Sequence, residues 1–346
     1  MDLALQVPAP VAERARIGLR AEGSLDPRGR PEKEDGLVFF AVRRRPSSAL
    51  VDRCRGVVVE RVLDRRTDRA ESPYDRLVER LSLPPSLEHQ LPWKWELLGD
   101  VLLLKLPLEL MPWEEEIAQA YAKELGAQAV VAESFGITGP FREPHFRRIW
   151  GTQTETIHKE NDILYKLDVL KVMFSSGNQE ERLRMAALAT DQEVVVDLFA
   201  GIGYFTIPLA KYGHPSRVIA CEVNDVAVRY LRENLRLNRV RNVEVLAGDF
   251  RNVAPEGVAD RVLFGYLHGR ELLPHAFACF RGRGILHYHE ATPSALLPEG
   301  PIAFLHETAA NAGYECRILR FHDLKSYAPG VRHVVIDAEV IPRRPQ

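Results

Sequence analysis

Cysteine is scarce: four in 346 residues, Cys54, Cys221, Cys279 and Cys316, far apart and with no C-x-x-C pair. That spacing argues against a disulfide framework or a thiolate zinc site, and a reducing cytoplasm is the expected compartment. No metal site is expected. No apolar run approaches the roughly eighteen residues of a membrane-spanning helix, and the N-terminus lacks the basic, apolar and small-residue layout of a signal peptide. Charge of one sign is not in excess either, with 46 Lys and Arg against 48 Asp and Glu and a formal net charge of −2. An anionic partner would have to be met by a local basic patch. No internal repeat is evident. What is present is 46% hydrophobic and 27% charged, an ordinary globular balance, in a chain long enough for two or three domains.

Composition divides the chain unevenly. Residues 21–36, AEGSLDPRGRPEKEDG, are charged and rich in Gly and Pro, so residues 1–35 read as a flexible lead-in. Apolar β-branched runs at 36–42 and 56–62, with helical spacing at 74–83, predict an N-terminal α+β domain over 36–94. A central α+β domain is expected over 95–170, with strands at 96–106, 127–132, 156–166 and 167–172 and a helix at 113–125. From residue 194 the pattern becomes alternation. Strands are expected at 194–199, 217–222, 243–247, 260–265, 284–289, 315–321 and 332–340, and helices at 204–212, 225–238, 270–281 and 300–312. Strands separated by helical segments predict a doubly wound parallel sheet of seven strands over residues 171–346. Pro329 and Gly330 predict an antiparallel arm at its end.

The motif with most chemical content is VVVDLFAGIGYF, residues 194–205, followed by ACEVN at 220–224 and AGDF at 247–250. In an open α/β sheet ligands sit beyond the carboxyl ends of the strands. The turn after Asp197 falls there. It carries Ala200, Gly201 and Gly203, whose glycines let backbone pass close to a ligand, and then Phe205. Glu222 ends the next strand, where a carboxylate can accept both hydroxyl hydrogens of a ribose. Asp249 is placed to hold an adenine amino group, with Phe250 against the ring. The bland alternative is helix capping around Asn224 and Asp225. Thr206 stands where the third glycine of G-x-G-x-x-G would be, so S-adenosylmethionine (SAM) is favoured over a dinucleotide. The expected architecture is therefore α/β, a class I SAM-dependent transferase preceded by small α+β domains.

KVMFSSGNQEER at 171–182, read together with the motifs above, ETIHKENDILYKLDVL at 155–170, HYHE at 287–290 and KSYAPGVRHVVIDAEV at 325–340, resembles the tRNA wybutosine-synthesising aminocarboxypropyltransferases of archaea and eukaryotes. The resemblance covers about residues 95–340. That family is kin to the archaeal and eukaryotic tRNA guanine-N1 methyltransferases, which carry an Asn-(Leu/Pro)-Pro motif after the fourth strand. Here Gly265, Tyr266, Leu267 and His268 stand in its place, a departure that argues against ordinary base methylation. The resemblance implies transfer of the 3-amino-3-carboxypropyl group of SAM to a tricyclic guanine-derived base beside the anticodon of phenylalanine tRNA, with methylthioadenosine as the by-product. It places Ser175, Arg182, Glu222, Asp249 and Phe250 at the cofactor, with Arg182 opposite the SAM carboxylate.

Attack by a carbon releases a proton, so a base or water path is needed. His268, His287, His289 and Glu290 are candidates, each with a structural role as the rival reading. Alternation puts His287 and His289 on one sheet face and Tyr288 on the other. Tyr266 or Tyr288 could stack on the base. For tRNA itself the candidates are Arg142, Arg147, Arg148 and Lys159, interleaved with Phe141, Phe146 and Trp150. The expected form is a monomer. Rival functions are a guanine-N1 methyltransferase relative, a non-catalytic SAM-binding protein associated with RNA, and a SAM enzyme acting on a small metabolite.

Overall fold

The computed structural model describes residues 3–26, 29–63, 72–138 and 143–343. The chain forms two compact units, Met1–Ser82 and Leu83–Gln346.

In the first unit, β1 (Leu3–Pro8), β2 (Glu32–Glu34), β3 (Leu37–Val42) and β4 (Val57–Glu60) form an antiparallel sheet in the order β2-β3-β1-β4. Residues 1–35, expected as a flexible lead-in, thus supply an inner strand and the helix Ala12–Ala21. The physical reason lies in LALQVP. Leu5 and Val7 pack with Ala15 and Leu19 of that helix, while Ala4 on the other face packs with Phe39 and Leu63. The charged, Gly- and Pro-rich composition that suggested flexibility begins only after this strand and helix.

The second unit opens with a four-stranded sheet of β5 (Glu96–Leu98), β6 (Val101–Leu104), β7 (Ala129–Thr138) and β8 (Glu143–Gly151), hydrogen-bonded in that order. β6 and β7 run parallel because the helix Glu114–Leu125 crosses over between them. Three glutamates in its first turn suit the positive end of the helix dipole, and Gly126 ends it in the left-handed region at φ +71. Ile117, Ala118, Tyr121 and Ala122 form its buried face. β9 (Glu155–Glu160) and β10 (Ile163–Asp168) follow as a hairpin. The single strand expected at 156–166 is interrupted at Asn161 and Asp162, both at positive φ, where a two-residue turn matches the twist of antiparallel strands.

Seven strands make the main sheet: β11 (Val194–Asp197), β12 (Arg217–Glu222), β13 (Val243–Ala247), β14 (Ala259–Phe264), β15 (Phe280–Pro293), β16 (Tyr314–Ala328) and β17 (Val331–Pro342). Their order is β13-β12-β11-β14-β15-β17-β16. The first five are parallel, and β17 pairs antiparallel with both β15 and β16. This is the class I SAM-dependent architecture, with the expected hairpin arm turning at Pro329 and Gly330. Strand order reverses beside β11, so the loops after β11 and β14 diverge and leave a crevice. The expected helix at 204–212 is a short turn, Thr206–Pro208, continued by a π turn at Leu209–Gly213. The one at 270–281 is three short turns ending at Cys279.

The edge of β10 is closed by side chains. On and just after the helix Asp225–Leu237, Asn234 accepts from the Lys166 amide at 2.7 Å and donates to the Lys166 carbonyl at 3.1 Å. Asn238 repeats this for Leu164 at 2.9 and 2.7 Å. One helical turn, about 5.4 Å, nearly matches two residues of strand, about 6.8 Å, so the two amides stand in for a neighbouring strand. Among the described residues no helix is long and apolar enough to cross a membrane, and no His, Cys, Asp and Glu cluster could hold a metal ion.

Candidate functional site

The parallel strands end at Asp197, Glu222, Ala247 and Phe264, and a cavity of about 540 Å³ opens beyond them. Its floor is the turn after β11. Gly201 at φ +57 and Gly203 at φ +103 both need glycine, because a Cβ on Gly201 would lie 2.6 Å from the Tyr204 ring and one on Gly203 2.5 Å from Ile207. The Glu222 carboxylate accepts from the Gly201 amide at 2.7 Å and the Asn224 amide at 2.8 Å. Two backbone donors therefore fix that carboxylate on the cavity wall.

Of the residues singled out for a cofactor, Ser175, Arg182, Gly201, Phe205, Glu222, Asp249 and Phe250 line the cavity. Asp197, Ala200 and Gly203 lie behind its surface. Asp197 is fully buried and accepts from Thr206 Oγ1 at 2.6 Å and the Phe199 amide at 3.3 Å, so it holds the turn. Burial, with Glu222 nearby, pushes its carboxyl up to about 6. Asp249 does cap a helix, accepting from the Arg251 amide at 3.0 Å. The Arg251 guanidinium beside it holds its carboxyl below the ordinary range. Asn224 caps the helix Asp225–Leu237.

Arg182 is 2% exposed and gives Nε and Nη2 to the two oxygens of Glu160, itself 4% exposed, at 2.7 and 2.5 Å. Its Nη1 donates to the Ser175 carbonyl at 2.9 Å. The guanidinium thus has its fork committed to Glu160 of β9, and the expected fork on a SAM carboxylate does not fit this arrangement. Tyr204 ties the same segment down by donating to the Met173 carbonyl. The Phe174 ring packs edge-on to Tyr165 and Tyr204.

The catalytic candidates separate. His289 lines the cavity, 5.2 Å from the Phe205 ring, with Nδ1 3.1 Å from His333 Nε2. Burial pushes its imidazole down to about 3, so it is uncharged. His287 shares its face but sits deeper, 2.6 Å from both Asp337 Oδ1 and Arg261 Nη1. Arg184 reaches the same Asp337, and Arg261 continues to Glu193, so His287 belongs to a buried ionic brace. Glu290 lies on the opposite face, 3.7 Å from Arg270, and burial raises its carboxyl. His268 is exposed, outside the lining residues, with Nε2 2.8 Å from the Tyr327 hydroxyl. Tyr288 is buried against Phe264, whereas Tyr266 lines the cavity.

Among the RNA candidates, Arg147 is paired with Glu114, Arg148 donates to the Thr152 carbonyl at 3.0 Å, and Lys159 pairs with Asp162 at 2.8 Å. Arg142 and Phe141 lie outside the described residues. Sequence reasoning did not single out Asn178, Lys325, Tyr327 and His333, which also line the cavity. Three of these come from the β16–β17 hairpin. KSYAPGVRH was legible as strand and turn, but not as a flap reaching the crevice.

Residues 156–319 match the TRM5/TYW2 methyltransferase domain and residues 76–154 the TYW2 N-terminal domain. The chain is 45% identical over 247 residues to the tRNA(Phe) (4-demethylwyosine(37)-C(7)) aminocarboxypropyltransferase of Methanocaldococcus jannaschii, covering 71% of this chain and 97% of that one. It is 33% identical over 345 residues to the tRNA (guanine(37)-N(1))-methyltransferase Trm5b of Pyrococcus abyssi, covering 98% and 99%. The crystal structure of P. horikoshii TYW2 in complex with MeSAdo superposes with a TM-score of 0.71 at 39% identity, over 78% of this chain and 99% of that one.

Proposed function

The chain belongs to the TRM5/TYW2 family, and from that premise we propose how its cavity works on tRNA. The protein is a SAM-dependent aminocarboxypropyltransferase of tRNA in wybutosine synthesis, and it releases methylthioadenosine. We place its acceptor base beside the anticodon of phenylalanine tRNA and take the working form to be a cytoplasmic monomer. The observation that carries the site reading is the Glu222 carboxylate, pinned by two amides on the wall of a cavity floored by Gly201.

The lining fits SAM. Glu222 keeps lone pairs for the ribose hydroxyls after accepting from Gly201 and Asn224. Asp249, which also pairs with Arg251, would accept from the adenine amino group, with Phe250 and Phe199 against its ring. Ser175, Asn178 and Lys325 line the same cavity and would hold the methionine tail, Lys325 with a positive charge for its carboxylate. Arg182, with its fork on Glu160, sets the position of Ser175. When bound, SAM supplies a sulfonium that makes its attached carbons electrophilic. Which carbon reacts is then a matter of aim, and the chain's contribution is near-attack geometry with no change of charge on its own side chains.

The acceptor carbon gives up a proton as the new bond forms. His289 is the one candidate on the wall, and burial makes it a poor proton acceptor. His287 has both ring nitrogens engaged. We therefore assign the proton to water at the open rim. The methyltransferase reading is kept alive by the 33% identity to Trm5b over nearly the whole chain. Incubation with SAM and tRNA carrying 4-demethylwyosine, followed by mass spectrometry of the sulfur by-product, separates the two. Methylthioadenosine is expected; S-adenosylhomocysteine would replace this reading with base methylation.

A further inference from the structure

A chain of ring contacts runs along one side of the cavity; Phe250, Phe199, Tyr266 and Tyr327 line it, and His268 stands behind them. Phe250 contacts Phe199 at 5.2 Å between centroids, and Phe199 contacts Tyr266 at 5.2 Å with planes 31° apart. Tyr266 meets His268 at 6.2 Å, and His268 meets Tyr327 at 5.4 Å. The Phe250 end is taken by the adenine in the reading above. The far end has no assigned occupant. There, Tyr327 lines the cavity while remaining 46% exposed, so its ring stands at the rim.

An exposed ring on a hairpin would ordinarily be free to turn. This one is tied across to another element: its hydroxyl lies 2.8 Å from Nε2 of His268, in the loop after β14, while Tyr327 is in β16. Tyr266 and Tyr327 thus line the same cavity from separate elements, linked through His268. Flat, sequence-tolerant stacking on aromatic side chains is how proteins hold unstacked bases, and it offsets the cost of taking a base out of its stack.

We propose that Tyr266 and Tyr327 bracket the flat acceptor base at the cavity rim, and that His268 is a positioning residue that holds the Tyr327 ring through its hydroxyl. This rests on the reading of a nucleobase acceptor. It assigns a tricyclic, fully conjugated ring to that end in preference to a small aliphatic metabolite, because a larger π-face covers both tyrosines.

The test compares Tyr327→Leu, Tyr327→Phe, His268→Ala and the double variant Tyr327→Phe/His268→Ala in the full chain. Equilibrium binding of tRNA carrying the tricyclic base is measured with methylthioadenosine present, alongside turnover and SAM affinity. Tyr327→Leu should lose about 10- to 100-fold in tRNA affinity and in kcat/KM for tRNA, while SAM affinity stays within about twofold. Tyr327→Phe and His268→Ala should each lose less, and the double variant should be no worse than either, since both break one bond. Unchanged tRNA binding in Tyr327→Leu, or an equal loss of SAM affinity, would overturn the bracket. Additive losses in the double variant would overturn the role of His268. If the wild type released S-adenosylhomocysteine, the transfer reading would fail while the binding series would still decide the bracket.

Discussion

Removing Glu160 should expose how much of the cavity wall depends on one buried ion pair. Arg182 and Glu160 are 2% and 4% exposed and share two hydrogen bonds. Leaving one partner of such a pair alone costs about 3–5 kcal/mol, because the remaining charge has lost water and its counter-charge. Glu160→Ala should therefore lower the stability of the Leu83–Gln346 unit by that amount. With a urea slope of roughly 3 kcal/mol/M, the midpoint falls by about 1–1.7 M. Arg182 also fixes the Ser175 carbonyl, so SAM affinity should fall in the same variant. Replacing both, Glu160→Met with Arg182→Met, should recover most of the stability, since apolar pairs of similar volume substitute well for buried ions. SAM affinity should stay low in the double variant because Ser175 has lost its anchor. Urea unfolding followed by calorimetric SAM titration reads both effects. A loss under about 1 kcal/mol in Glu160→Ala, or a double variant that binds SAM like the wild type, would refute the role given to the Arg182–Glu160 pair.

Three further outcomes follow from the geometry. The Asp197 carboxyl is raised from 3.8 to about 6, so the folded state holds its proton more tightly than the unfolded state. Its contribution is greatest below about pH 4 and declines as pH rises to 6, by roughly 3 kcal/mol. Wild-type stability relative to Asp197→Asn should fall across that window, and a flat difference would contradict the burial argument. Glu222→Ala removes the acceptor of two backbone amides and the acceptor proposed for the ribose, and SAM affinity should fall by about 100-fold in calorimetry. Arg148→Ala should weaken tRNA binding and reduce the slope of log affinity against log salt by about one, read by mobility shift at several ionic strengths. An unchanged slope would contradict a phosphate contact by Arg148.

What could be read in the sequence was periodic or local. Runs such as VVVD and RVIACE placed the parallel strands, and the glycine turn placed the crevice, because strand ends and tight turns are set by neighbours in sequence. The partner of Arg182 lies on β9, 22 residues earlier, and no spacing rule predicts that pairing. Lys325, Tyr327 and His333 reach the cavity only because β17 pairs antiparallel with both β15 and β16. The register of that hairpin sets which of its residues arrive there. His287 and His289 were correctly placed on one face by alternation, yet two residues of strand rise carry one into the ionic brace and the other to the cavity. LALQVP is illegible because a six-residue strand gives a weak signal, and its partners Phe39 and Leu63 are far along the chain.

In an aminocarboxypropyltransferase the carbon chain of SAM, and not its methyl group, reaches the tRNA. It is tested most directly with two preparations of SAM, one isotopically labelled in the carboxyl group and the other in the methyl group, each incubated with the protein and 4-demethylwyosine-containing tRNA. Carboxyl label should enter the tRNA, and methyl label should leave with methylthioadenosine. Methyl label in the tRNA, with carboxyl label recovered in S-adenosylhomocysteine, would contradict it.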